Sequence, residues 1–469
     1  MLNSVRSIGS IVSPTRPYHE DEASFEFANL VAEQRSPFET DGDKISFSEG
    51  FRALADKTQV HDRTGVEGVF RNRLTHSQEV SRVGRSLGVA VGARMTAYYG
   101  LHAAPTGEAF WRVDPSEIGH IVAAACLSHD VGNPPFGHEG EDEISNFYAH
   151  TKIGKEVVRR VNSDLAAELC LHEGNAQGFR MITRTMGWRE GRGLNLTSAT
   201  LAAFGKYPHS LRHGVKKYGI QSADMPTMEC VAHNTGMKAD PKGGWKRHPL
   251  AYLLEAADDA CYLTVDMEDA AQMGIIGFDD LLDNFSLVLN REQIDTANSM
   301  ESRSHAIKYL RSKMVKALIN ACVEVYSSIA DEIETGDLSK DVHGGGLIGH
   351  SRFGEAMSRI REFSDREIYK APALKAVRAS YRGVVTNALA GLNIDLLKWL
   401  EGNGQTTLTR GNPEAGLLAR VPSARIGVKV PESIDDAVRW LLDEVTLMSD
   451  AHVLELSRSL QDYHKEAMA

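Results

Sequence analysis

The stretch Leu127–Glu141, LSHDVGNPPFGHEGE, leaves little choice of local structure. An apolar helical pattern (Ile118, Ile121, Val122, Ala125, Leu127) runs into the adjacent pair His129-Asp130. Gly132-Asn133-Pro134-Pro135-Phe136-Gly137 carries too many breakers to continue that helix, and a second pattern opens with His138-Glu139-Gly140-Glu141. Ile118, Val122, Ala125 and His129 recur at i, i+4, i+7 and i+11, which puts His129 on the buried stripe of the first helix. A neutral imidazole nitrogen beside an anionic carboxylate suits a single divalent cation. Taken alone, a histidine at a helix C-terminus is more often a cap or a satisfied core residue. Other segments supply partners, and they shift the balance.

The first lies in RNRLTHSQEVSRVGRSLGVAVGARM, where His76, Val80, Val83 and Leu87 share one helical face, so His76 points inward. Arg71 and Arg73 precede it and in isolation read as solvated surface. In the second helix of the opening stretch, His138, Glu141, Ile144 and Tyr148 fall close to one face. That spacing suits an acid/base histidine oriented by a carboxylate, and equally an N-terminal cap. The third segment is HPLAYLLEAADDACYLTVDMEDA (248–270), in which Leu250, Leu254, Asp258, Cys261 and Val265 form a stripe. Asp258 is thereby inward, Asp259 about 100° away, and Tyr262 and Asp266 follow at successive turns. A carboxylate on an apolar stripe is costly unless it is paired or holds a metal. His76, His129, Asp130 and Asp258 together offer four N/O ligands from three helices and leave coordination sites open for water and substrate.

No internal repeat and no run of alternating strands breaks the helical pattern, so the expected fold is mostly α. The expected organisation is an N-terminal arm over 1–33, a metal-dependent core over 34–290 and a further helical region over 291–469. Segments 172–182, 195–210 and 213–219 read as helical pieces broken by loops, 36–60 as a loop and short helix, and 61–70 as a Gly-punctuated loop or hairpin. A Gly-rich loop at His343–Gly346 interrupts the C-terminal helices. The net charge of −11 argues against a dedicated nucleic-acid binder, although Lys206, Lys216 and Lys217 cluster locally. Five scattered cysteines without a CxxC pair fit a reducing compartment. No apolar run approaches the ~18 residues of a membrane span, and the brief patch Ile8 to Val12 is too short for a signal peptide. These features lead us to expect a cytoplasmic protein.

The pattern H…HD…D resembles the HD-domain phosphohydrolases, and the flanking words narrow the resemblance to the bacterial deoxyguanosinetriphosphate triphosphohydrolase-like family. Those words are SPFETD (36–41), KTQV (57–60), NRLTHSQEV (72–80), HDVGNPPFGHEGE (129–141), EGNAQGFR (173–180), ATLAAFGKYP (199–208) and HPLAYLLEAADD (248–259). They span about half the chain, and the weaker LMSDAHVLEL (447–456) extends the match. The resemblance implies an HD-domain helical core that splits a dNTP at the α-phosphorus into a deoxynucleoside and tripolyphosphate. It makes His76, His129, Asp130 and Asp258 the metal ligands, and His138 with Glu141 the catalytic pair. It places Arg73 on phosphate, Gln59 and Asp266 on the sugar 3′-hydroxyl, and Tyr262 against a ribose 2′-hydroxyl. Asn175, Lys206 and Tyr207 fall on the phosphate side. The implied cofactor is manganese or magnesium, with zinc, iron, cobalt and nickel compatible. The implied assembly is a homo-oligomer, often a hexamer, with single-stranded DNA or a second dNTP as effectors. Two family words differ here, as Ile45-Ser46-Phe47-Ser48-Glu49-Gly50 and Arg52-Ala53-Leu54-Ala55. Both lie near the expected sugar and base end, so they bear on nucleobase preference rather than on the chemistry.

Two other readings stay open on the residues. One is a different HD enzyme, a phosphodiesterase or nuclease, which would not release tripolyphosphate. The other is a nucleotide- or DNA-sensing scaffold with weak catalysis, which would bind dNTP without turnover.

Overall fold

The computed structural model describes residues 11–17, 35–58, 71–102, 114–188, 191–211, 217–329, 333, 338, 345–372, 379, 381–402, 407–410 and 412–468. The chain is mostly α, and among the described residues the strands are Thr407–Leu408 and Val428–Lys429, paired antiparallel. No helix among the described residues is long and apolar enough to cross a membrane.

Local signals set the helix starts. Ser36 caps α1 (Pro37–Ser46) by accepting from the Phe38 amide, with Pro37 in the first turn. The stretch 36–60, expected as a loop and a short helix, is therefore helical almost from its first residue. Asp114 and Pro115 do the same for α3 (Pro115–Ser128). The 30-residue helix α2 (Arg73–His102) packs along α3, and Gly84, Gly88 and Gly92 make the contact close. A Cβ on Gly88 would sit 2.8 Å from the Ile118 carbonyl oxygen and 2.9 Å from Gly119 Cα. The third helix of the group is α7 (Ala251–Gln272), preceded by α4 (His138–His150), α5 (Gly174–Arg180) and α6 (Ser198–Phe204). C-terminal to these lie α8 (Arg303–Ser328), α9 (Gly346–His350), α10 (Gly354–Phe363), α11 (Val384–Gly402), α12 (Ile434–Leu447) and α13 (Asp450–Met468).

The buried apolar residues form two cores. One joins α1, α2, α3, α6, α7, α8, α9 and α10. The other joins Ile144, Phe147 and Tyr148 of α4 and residues 157–169 to α11, α12 and α13. The break between them falls at the Gly/Pro turn after His129. Within the expected N-terminal arm, Ile11 is buried in the first core, and the Ser13 and Thr15 carbonyls accept from Ala199 and Ser198 at the start of α6. Residues 61–70 and 213–216 lie outside the described residues, and Lys217 to Gly219, expected to be helical, are not helical.

Candidate metal centre

Three helices of the first core bring the ligand candidates together. Asn72 caps α2 by accepting from the Thr75 amide at 2.8 Å, and His76 follows at once on the inward face, 2 % exposed. His129 sits at the C-cap of α3, so Asp130 leaves the helix beside it. Asp258 comes from two turns inside α7. Ligand atoms of His76, His129 and Asp130 all lie within 4.8 Å of one another. Asp258 Oδ1 is 3.3 Å from His76 Nε2 and 3.5 Å from His129 Nε2. His129 Nδ1 donates to the Cys126 carbonyl at 2.7 Å, which fixes the tautomer and turns the Nε2 lone pair toward the carboxylates. Imidazole nitrogens and carboxylate oxygens converging this way fit a divalent cation. HD domains are metal-dependent hydrolases, and this cluster is the site that could hold the ion.

Charge around the cluster is tightly managed. Burial opposes ionisation of Asp130, but His129, Arg73 and His76 outweigh it and hold the carboxyl at about 2. Burial likewise opposes ionisation of Asp258, yet Lys206, His129 and His76 keep it well below the usual carboxylate range. Arg73 Nη1 donates to Asp130 Oδ2 at 3.1 Å, and Lys206 Nζ to Asp258 Oδ2 at 2.9 Å. Among the described residues, buried Arg73 Nε meets no hydrogen-bond acceptor, and an anionic ligand would supply one. Lys206 thus leaves the solvated face that a basic run usually makes.

The turn holds two close approaches. A Cβ on Gly132 would overlap the Gly174 carbonyl and the Gly178 amide, so only glycine lets the turn lie against α5. Beyond it, α4 opens with His138, whose side chain is 87 % exposed while that of its partner Glu141 is 13 % exposed. His138 Nδ1 and Glu141 Oε2 are 2.6 Å apart, and this hydrogen bond raises the imidazole above its ordinary pKa. Glu141 Oε1 accepts from the Gly174 amide at 2.7 Å. His172, which sequence reasoning did not single out, lies near Glu141, and burial drops it to about 4, so it is neutral.

On α7, Tyr262 stacks on Tyr369 with centroids 5.6 Å apart and planes within 5°. Tyr369 donates its hydroxyl to Asp266 Oδ2 at 2.6 Å, and burial raises Asp266 to about 6. Tyr369 was also missed, because it lies about a hundred residues beyond α7 in no recognisable motif. Gln59 lies outside the described residues. Asn175 donates to Glu173 at 2.7 Å on α5, and no contact joins it to the cluster. Tyr207 lines a cavity of about 160 Å³ with Trp245, Arg247 and Lys206, the lysine that reaches Asp258.

Such a helical fold, with His, His-Asp and Asp converging from three helices, defines an HD-type hydrolase, and the HD domain family model matches residues 73–178. A deoxyguanosinetriphosphate triphosphohydrolase-like protein of Pseudomonas aeruginosa (strain LESB58) is 36% identical over 346 residues, covering 71% of this chain and 75% of its own. Proteins of the same description from Synechocystis sp. (34% over 362 residues, 74% and 78%) and Listeria innocua serovar 6a (31% over 383 residues, 77% and 76%) are also similar. The chain belongs to the deoxyguanosinetriphosphate triphosphohydrolase-like family.

Proposed function

We propose that this chain hydrolyses deoxynucleoside triphosphates, dGTP favoured, at the α-phosphorus, releasing a deoxynucleoside and intact tripolyphosphate. The observation that carries the reading is the convergence of four metal donors with two cations, Arg73 and Lys206, each seated on a ligand carboxylate. On a chain of net charge −11, such local positive charge suits a polyanion. A divalent ion there, manganese or magnesium in this reading, would lower the pKa of the attacking water and polarise the phosphate.

The chain's own groups supply the rest. Arg73 and Lys206 place positive charge where phosphate oxygens would lie, with Tyr207 beside Lys206 and with Asn175 assigned to the phosphate side by the family resemblance alone. His138, its Nδ1 committed to Glu141, has Nε2 free to protonate the departing 5′-oxygen. Gln59 and Asp266 hold the 3′-hydroxyl, and Tyr262, braced by Tyr369, crowds a 2′-hydroxyl. We further propose a cytoplasmic homo-oligomer, a hexamer by family precedent. The test is incubation with each dNTP and manganese, with products resolved by ion exchange. Tripolyphosphate plus deoxynucleoside is expected. Monophosphate plus pyrophosphate would mean that another bond breaks, with pyrophosphate as leaving group, and overturn the reading, and binding without any product would favour a sensing scaffold.

A further inference from the structure

The metal ligands belong to the first core, whereas α4, which carries His138 and Glu141, buries Ile144, Phe147 and Tyr148 in the second. The turn from Asp130 to His138 leads directly from the metal ligands to the proton donor, and it is strained. Phe136 has φ 64° and Gly137 has φ 58°, so a bulky side chain occupies the left-handed region. A non-glycine residue persists there only where its surroundings over-determine it.

The surroundings come from the far end of the chain. Asp450 Oδ1 accepts from the Phe136 amide at 2.9 Å, and its Oδ2 accepts from the Thr58 amide at 2.9 Å. Ser449 Oγ already accepts from the His452 amide at the start of α13, so the Asp450 carboxylate is free to serve other segments. A second tie runs alongside. Lys57, fully buried, donates to the Asn133 carbonyl at 2.7 Å and also to the Thr446 carbonyl at the end of α12. Lys57 of KTQV and Asp450 of LMSDAHVLEL, about 390 residues apart, therefore both bond to the same turn.

We propose that Asp450 is a positioning residue of the active site, which fixes the turn between Asp130 and His138 and so sets the proton donor relative to the metal. The catalytic half of this inference rests on the function proposed above; the mechanical half does not. Asp450→Asn keeps one acceptor and presents an amide N–H to the other donor, so one tie is lost. Asp450→Glu keeps both acceptor oxygens. The control is Asp395→Asn, which disturbs a carboxylate that accepts from the Leu417 amide at 2.7 Å elsewhere in the second core.

Each variant is read by hydrogen exchange mass spectrometry of peptides covering 55–58 and 131–138, and by kcat and KM for dGTP with manganese. For Asp450→Asn we expect faster exchange in both peptides and a fall in kcat of about 10- to 100-fold, the scale of an ångström-size misplacement. KM and bound manganese should stay near wild type, and Asp450→Glu should recover most of the loss. Unchanged exchange at 131–138, or faster exchange with kcat within about twofold of wild type, overturns the proposal. So does an equal loss in Asp395→Asn, which would mean general loosening. If the wild-type chain releases no tripolyphosphate, the functional reading fails while the exchange comparison still decides the clasp.

Discussion

His129 shows how a single residue can be readable in part. Its helical phase placed it inward, but nothing in the sequence revealed that Nδ1 would be committed to the Cys126 carbonyl, leaving Nε2 for the cluster. Removing its neighbour should be decisive: Asp130→Ala is expected to abolish bound manganese, measured by atomic absorption, together with turnover, while the helical circular dichroism signal persists. Retained activity would remove Asp130 from the ligand set. The His138–Glu141 pair gives a pH test with a definite sign. The hydrogen bond to Glu141 raises the imidazole, so an acid His138 stays protonated to higher pH than a free histidine, and kcat falls as pH rises through that raised value. Glu141→Gln removes the anion, so the alkaline limb of the kcat–pH profile should move to lower pH and kcat should drop by about 10²-fold or more. An unmoved limb would assign the pH dependence to another group. Helical phase found His76 and Asp258 for the same reason it found His129, since a polar group on an apolar stripe is conspicuous. Tyr369 and His172 escaped because neither breaks a pattern, and their proximity to Asp266 and Glu141 exists only after the chain has folded.

Between elements, polar pairs lock the helices that carry the ligands. Arg71 read as solvated surface, yet its guanidinium sits at the head of α2 against three carboxylates. It meets Glu79 at 2.8 Å and Glu268 at 2.6 Å, and it also pairs with Asp269. Glu268 and Asp269 lie in the last turns of α7, so the network pins the start of the His76 helix to the helix that carries Asp258 and Asp266. Burial raises Asp269 to about 7 even with Arg71 beside it, and the neighbouring Asp266, Glu268 and Glu79 push in the same direction. Arg71→Ala takes the cation from Asp269 and leaves Glu79 and Glu268 with the longer contacts to Arg311 (3.9 and 3.5 Å), and we expect a loss of about 3 kcal/mol in urea unfolding at pH 7.5. A loss below about 1 kcal/mol would mean that the cluster is open to solvent and screened. The network was illegible for a simple reason: a lone arginine before a helix carries no sign of partners nearly two hundred residues away.

At the scale of the whole molecule, the HD-matched segment 73–178 starts in the first hydrophobic core, contributes residues 144–169 to the second and returns to the first at α5, so the domain suggested by sequence similarity is not a packing unit. Sequence periodicity identifies helices and their buried faces, but not which faces share a core, and the pairing of α4 with α11 to α13 could not be read from it. Among the described residues, polar ties hold the cores together besides the turn. Lys57 bridges Asn133 and Thr446, Asp450 bridges Thr58 and Phe136, and Asp443 of α12 accepts from Arg180 Nε and Nη2 at 3.0 Å each and from Gln177 at 2.7 Å. Ties that combine charge with burial resist independent opening, so the chain should unfold as one unit despite its two cores. Metal binding makes this measurable, because every ligand candidate belongs to the first core. A site bound only in the native state adds about 2.7 kcal/mol when manganese is at a hundred times its dissociation constant. In differential scanning calorimetry we expect one transition that rises by a few degrees with manganese and returns with chelator. A pair of transitions, of which manganese moves only one, would show that the ties are weaker than the cores they join. The Asp450 clasp would then be a contact of the folded state without the strength to transmit order from α13 to His138.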